Sequence, residues 1–261
     1  MNTAIVLTLV ISGLFVGFIN TLSAGGTAIS IALYLALGLP PGEANATNRI
    51  GVLLQSSLSA AMFARKGYLK QTGAIYLAIF AMLGAILGSV LSLLLPQQIF
   101  SYAMGASLLI MLFFLFSSPT KFKEDTIKTY KKKHRILHAG VFFLIGIYGG
   151  FVQVGTGFFL MAAGSMLLGF NIIRTNAVKA FVMTIYTIAA IFIFMKEGSI
   201  NWQYGLLHSV GTLFGSYIAT HIALKKGAGF VRWIVIIVII FTTLYLFKII
   251  NLEHIFHILI K

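Results

Sequence analysis

Long apolar runs, broken by glycine, proline and short charged clusters, dominate the chain. Division at those breaks gives ten apolar segments, roughly 4–19, 26–39, 44–64, 72–95, 98–117, 137–154, 157–170, 174–195, 203–224 and 228–250. A helix needs about 20 mostly apolar residues to cross about 30 Å of hydrocarbon. The pattern therefore predicts an all-α polytopic membrane protein. The first two segments of each group of five are short, and 26–39 would make a helix only about 21 Å long. Each short pair meets at a glycine-rich break, Ser23-Ala24-Gly25-Gly26-Thr27 in the first group and Val154-Gly155-Thr156-Gly157 in the second. A re-entrant hairpin and two bent crossings both fit such a pair.

Composition excludes a water-soluble domain. Hydrophobic side chains make up 59% of the chain and charged ones 9%, with mean hydropathy +0.99, whereas soluble domains carry about 25% charged residues. The absence of cysteine removes disulfide scaffolds, thiolate metal sites and cysteine nucleophiles. The balance of 19 Lys+Arg against 5 Asp+Glu gives +14. In a soluble protein that excess would suggest nucleic acid. In so apolar a chain it is first a topology signal, and no nucleic-acid partner is expected. Met1-Asn2-Thr3 leads into the first apolar run without Lys or Arg, so this segment is expected to be retained and not cleaved as a signal peptide.

The two groups of segments resemble each other. A gap-free shift of 131 residues superposes Gly26 on Gly157, Gly38 on Gly169, Asn45 on Asn176, Gly67 on Gly198 and Gly84 on Gly215. Chance agreement among glycine-rich helices is the alternative, but the matches fall at corresponding breaks and helix ends. The expected organisation is a first transmembrane repeat over 1–117, a basic cytoplasmic linker over 118–136 and a second repeat over 137–261. The linker holds Lys121, Lys123, Lys128, Lys131, Lys132, Lys133 and Arg135, which assigns it to the cytoplasm of a plasma-membrane protein. Counting outward from it puts 14 of the 19 basic residues inside and the N-terminus outside. An odd number of crossings per repeat then inverts one repeat relative to the other, an architecture of secondary transporters with a site near the midplane. The basic 121–135 stretch is also a candidate contact for anionic lipids, and a homo-oligomer is compatible with the sequence.

Two clusters could carry chemistry. Helix starts at Gly26 and Gly157 would offer unpaired N–H groups and the positive end of a helix dipole, a natural anion site. This makes Gly25, Gly26, Thr27, Gly155, Thr156 and Gly157 candidates for substrate binding. Their bland alternative is close packing, the role expected of the GxxxG pairs Gly13/Gly17, Gly84/Gly88 and Gly211/Gly215. The second cluster is Asn45-Ala46-Thr47-Asn48-Arg49, with its counterpart Thr175-Asn176-Ala177-Val178-Lys179. Arg49 and Lys179 stand about one turn inside apolar segments, where an ionisable residue usually faces a cavity or partner. With no carboxylate nearby except Glu43, a substrate anion is an attractive partner; snorkelling to the headgroups is the alternative. Asn45, Asn48 and Asn176 are site candidates or helix caps. Asn20, Gln153 and Gln55 rank below them.

Enzyme signatures are missing: there is no HExxH, Walker-type loop or GxSxG, nor a carboxylate pair. A Ser165–His208 hydrolase pair has no support from spacing, and His208 and His221 are more readily helix–helix hydrogen-bonding residues than proton carriers. No cofactor or metal is expected.

The motifs also resemble a known family. Gly17 followed by Ala24-Gly25-Gly26-Thr27, then Leu37-Gly38-Leu39-Pro40-Pro41 and Ala44-Asn45-Ala46-Thr47-Asn48, resembles the first repeat of the TauE/SafE family of membrane proteins. Leu168-Gly169, Arg174-Thr175-Asn176-Ala177 and Gly198-Ser199-Ile200-Asn201-Trp202, followed by Gly211 and Gly215, are similar to its second repeat. The resemblance implies seven or eight spans and transport of sulfur-containing anions: sulfite, organosulfonates such as sulfoacetate, or thiosulfate-like compounds. Together these observations lead to the expectation of a secondary transporter, an exporter of such an anion by alternating access. An anion channel and an intramembrane enzyme are the alternatives.

Overall fold

The computed structural model describes residues 2–23, 25–117 and 132–223. The expected segment at 228–250 and most of the basic linker lie outside them. The described residues form nine α-helices: α1 (Thr3–Ser23), α2 (Thr27–Ala36), α3 (Pro41–Arg65), α4 (Ala74–Leu94), α5 (Gln97–Ser117), α6 (Lys132–Phe151), α7 (Thr156–Ala162), α8 (Ile172–Lys196) and α9 (Trp202–Ala223). A wide π turn, Ala163–Leu167, continues α7.

Local sequence explains most boundaries. Pro41 opens α3 at the first helical position, where a missing N–H is harmless. Asn171 caps α8 by accepting a hydrogen bond from the Arg174 N–H at 2.9 Å. One pair of glycines that match across the two halves ends matching helices. Gly67 and Gly198 take φ of 80° and 63° just beyond α3 and α8. The next N–H then reaches back to a carbonyl inside the helix, Tyr68 to Phe63 at 3.1 Å and Ser199 to Phe194 at 3.0 Å. This left-handed termination is one that glycine adopts without steric penalty.

Two expectations are corrected. The first segment of each half is not short, since α1 runs for 21 residues and α6 for 20. Asn20 and Thr21 at the end of α1, expected to lie beyond the helix, stay helical because a distant side chain satisfies their carbonyls, as described below. Only the second segment of each half is short. Likewise α6 begins at Lys132 and not at 137, so the end of the basic linker is already helical.

The helices pack in an exchanged order. The two most extensive contacts join α1 to α9 and α4 to α6, so the first helix of each half lies on the fourth helix of the other. Helix α3 packs on α8 and α9, and α8 packs on α3 and α4. Exchanging the halves maps this set of contacts onto itself. Glycines allow the crossings. A Cβ on Gly13 or Gly17 would strike the carbonyls of His208 and Thr212, and one on Gly211 or Gly215 those of Val10 and Leu14. At the α4–α6 crossing, Gly84 and Gly88 meet the carbonyls of Phe143 and Ile147, while Gly146 and Gly150 meet those of Ala81 and Ala85. The packing role expected of the GxxxG pairs is the observed one, and Gly146/Gly150 is a fourth pair.

The polarity of the molecule is inside out. Ile75, Leu94, Phe113, Leu144 and Phe214 are each more than 60% exposed, while Arg49, Asn45, Thr47 and Ser216 are fully buried. Such an apolar exterior is stable against hydrocarbon and not against water. Helices α1, α4, α6 and α8 are long and apolar enough to cross a membrane by length and composition. The chain is an all-α, membrane-embedded protein.

Candidate functional site

The two helix breaks create a shortage that the buried cations fill. The last four carbonyls of any helix lack an intrahelical partner and form the negative end of its dipole. At the end of α6, the Arg49 guanidinium donates from Nη1 to the Gly149 carbonyl at 3.0 Å and from Nη2 to that of Gly150 at 2.6 Å. One turn earlier on α3, Asn45 Nδ2 donates to the Phe151 carbonyl at 3.0 Å. The Arg49 guanidinium also lies 4.6 Å from the centre of the Phe194 ring, within range of a cation–π contact. At the end of α1, the Lys179 ammonium donates to the carbonyls of Asn20 and Thr21, each at 3.1 Å. Met161 Sδ lies 4.0 Å from it. Each cation therefore caps a helix belonging to the other half. Both are essentially buried and stand about two turns into their helices, so neither snorkels to a surface.

The α1–α2 break opens into a narrow cleft. Asn20 and Thr21 of α1, Thr27 of α2 and Gly157 of α7 line one part. Gln55, Ser56, Ser59 and Phe63 of α3 form a stripe at helical spacing, faced by Asn176, Lys179, Ala180 and Met183 of α8. Asn20 bridges the break: its Oδ1 accepts from the Thr27 N–H at 3.0 Å and from its hydroxyl at 3.4 Å. Its Nδ2 is buried without a partner, as are the side-chain oxygens of Gln55 and Asn176. The walls are tied outward by hydroxyl pairs, Ser59 to Ser216 at 2.8 Å and Thr184 to Ser56 at 3.1 Å.

The candidate residues thus separate. Thr27, Gly157, Asn176 and Lys179 share the cleft. Gly26 packs against α1 beside Asn20, while Gly25 precedes it in the break and is buried. Asn45, Arg49, Gly155 and Thr156 belong to the second break, where the Thr156 hydroxyl donates to the Gln153 carbonyl at 2.8 Å. Asn48 is buried on α3 with its Nδ2 unpartnered. None of the asparagines at 45, 48 and 176 is the N-cap of its own helix, those positions being Pro40 for α3 and Asn171 for α8. The first N–H of α2 is already given to Asn20. Asn20 and Gln55, ranked low from sequence, are in the lining, together with Thr21, Ser56 and Ser59. The signal for Asn20 is its place just before a glycine break, while the α3 set is visible only as a polar stripe on an otherwise apolar helix. His208 has no hydrogen-bond partner on either nitrogen and lies against the Tyr34 ring, 5.4 Å between centroids. The Ser165–His208 pair is not formed.

The family model described as "Sulfite exporter TauE/SafE" matches residues 9–246, most of the chain. The chain belongs to the TauE/SafE family. Among its TauE/SafE relatives is "Probable membrane transporter protein ORF9" of Sinorhizobium sp, 26% identical over 235 residues, covering 88% of this chain and 87% of that protein. A Haemophilus influenzae "Probable membrane transporter protein" is 27% identical over 226 residues, covering 86% and 88% respectively. "Probable membrane transporter protein YfcA" of Escherichia coli is 23% identical over 223 residues, covering 85% and 82%. No solved structure is significantly similar. The described fold, the family and its relatives make this TauE/SafE chain a membrane transporter.

Proposed function

We propose that this TauE/SafE chain is a secondary transporter that exports a small sulfur-containing anion, sulfite or an organosulfonate, by alternating access. The substrate lies in the cleft between α3 and α8, near the midplane, with Lys179 supplying positive charge and Thr27, Gly157 and Asn176 surrounding it. The observation that carries this is a buried lysine, lining a polar cleft between the two halves, whose partners are carbonyls and not a carboxylate. The two halves form inverted repeats, with the 118–136 linker in the cytoplasm and the N-terminus outside. An interior-negative potential favours anion exit by about 2.3 kcal/mol per charge per 100 mV, so export needs no buried carboxylate relay. Arg49 holds the second break in shape.

Proteoliposomes loaded with sulfite or an organosulfonate test the proposal. Saturable efflux is expected, falling at least about tenfold in Lys179→Gln. Failure of every sulfur anion to move would overturn the assignment, and flux that rises without saturation would replace alternating access by a channel.

A further inference from the structure

The lining of the cleft limits the charge of its occupant. Of the two buried Lys and Arg side chains among the described residues, Lys179 lines it and Arg49 does not. Arg49 uses both terminal nitrogens on the end of α6 and packs its plane on Phe194. The Asn20 and Thr21 carbonyls solvate the Lys179 ammonium without neutralising it, and the lining contains no other charged side chain. One net positive charge faces the space. Around it, three side-chain amides have buried polar atoms without partners: Nδ2 of Asn20, Oε1 of Gln55 and Oδ1 of Asn176. The Asn20 amide is fixed, because Thr27 holds its oxygen, so its NH2 group remains for another acceptor. No hydrogen bond holds the oxygens of Gln55 and Asn176, so either amide can turn to present NH2. One buried donor left unpaired beside an uncompensated charge, with two amides able to turn an NH2 toward the same space, is the complement of an oxyanion.

We infer that the cleft selects a singly charged oxyanion, with Lys179 as counter-charge and the Asn20, Gln55 and Asn176 amides as donors to its oxygens, and rejects a doubly charged anion of similar size. This rests on the transport proposal above and narrows it to hydrogensulfite and organosulfonates with a single acid group, excluding doubly charged sulfite. One negative charge cancels the lysine, whereas a second would be buried without a partner, and unpaired buried charge is strongly unfavourable. Asn20 has a specific place in this selection as the donor whose orientation is set in advance.

Uptake of radiolabelled methanesulfonate into proteoliposomes, with the membrane potential clamped at zero, tests the inference. Unlabelled methanesulfonate and sulfate serve as competitors, the first carrying one charge and the second two. Sulfate is expected to compete at least about 100-fold more weakly, the scale set by an unpaired buried charge. Asn20→Asp keeps an acceptor for Thr27 but adds a negative charge to the lining, and should lower methanesulfonate uptake at least about tenfold. Asn20→Ser, which keeps a hydroxyl in the lining, should retain more uptake than Asn20→Asp, and a thermal melt of each variant identifies loss of fold. Equal competition by sulfate, or full uptake by folded Asn20→Asp, would overturn the inference and leave the transport proposal standing. If methanesulfonate, sulfate, sulfite and sulfoacetate all failed to cross, both would fall.

Discussion

Two alanine substitutions on one helix should change stability in opposite directions. Gly140 and Gly146 both lie on α6. A Cβ at Gly140 meets nothing within 4 Å, while one at Gly146 strikes the carbonyl and Cα of Ala81 on α4. Replacing an unhindered helical glycine by alanine restricts the unfolded chain and raises helix propensity, a gain of about 0.5–1 kcal/mol. Gly146→Ala gains the same propensity but must push two backbones apart. Overpacking costs about 1–3 kcal/mol even where flexible side chains can yield, and here the obstructing atoms are main chain. Gly146→Ala should therefore be less stable than Gly140→Ala by about 2–3 kcal/mol, about 30- to 150-fold in the unfolding equilibrium. The assay is unfolding of purified protein in mixed micelles with increasing SDS, followed by helix circular dichroism and tryptophan fluorescence. Coincident midpoints for the two variants would refute close glycine packing between α4 and α6.

Two further substitutions test the helix ends in the same titration. Arg49→Lys keeps the charge but loses the fork that reaches two carbonyls and the planar contact with Phe194. A loss of about 1.5–3 kcal/mol is expected from one charge-assisted hydrogen bond, and an unchanged midpoint would contradict the clamp. Asn171→Ala removes the cap that accepts the Arg174 N–H and should cost about 1 kcal/mol, with Asn171→Ser recovering most of it; equal loss in both would assign the effect to something other than the cap.

The fold was legible where local rules govern it. Pro41 opens α3, Gly67 and Gly198 end α3 and α8, and the GxxxG spacings at Gly13, Gly84 and Gly211 announce close crossings. Gly146/Gly150 carries the same spacing but is obscured by the adjacent Gly149. The same offset separates it from Gly13/Gly17, slightly longer than the one that aligns Gly26 with Gly157. The end of α1 was not legible, because what keeps Asn20 and Thr21 helical is an ammonium 159 residues away in one case and 158 in the other. The site was legible in part. Lys179 and Asn176 stood out as polar residues in an apolar helix and share the cleft. Arg49 showed the same signal, yet its partners are the carbonyls at the end of α6. A buried cation near a helix start has the same appearance in sequence whether a ligand or a remote helix end receives it.

The exchange of caps between halves bears on biogenesis. While the first half is being synthesised, α1 enters the bilayer with carbonyls that await Lys179, and α3 carries an arginine whose acceptors on α6 do not yet exist. Neither half can complete its own break alone. A first half expressed by itself would satisfy these groups only by pairing with a second copy, α1 of one against α4 of the other, as in domain swapping. Cutting the polypeptide within 118–131 should therefore be tolerated when both fragments are made together, and not when either is made alone.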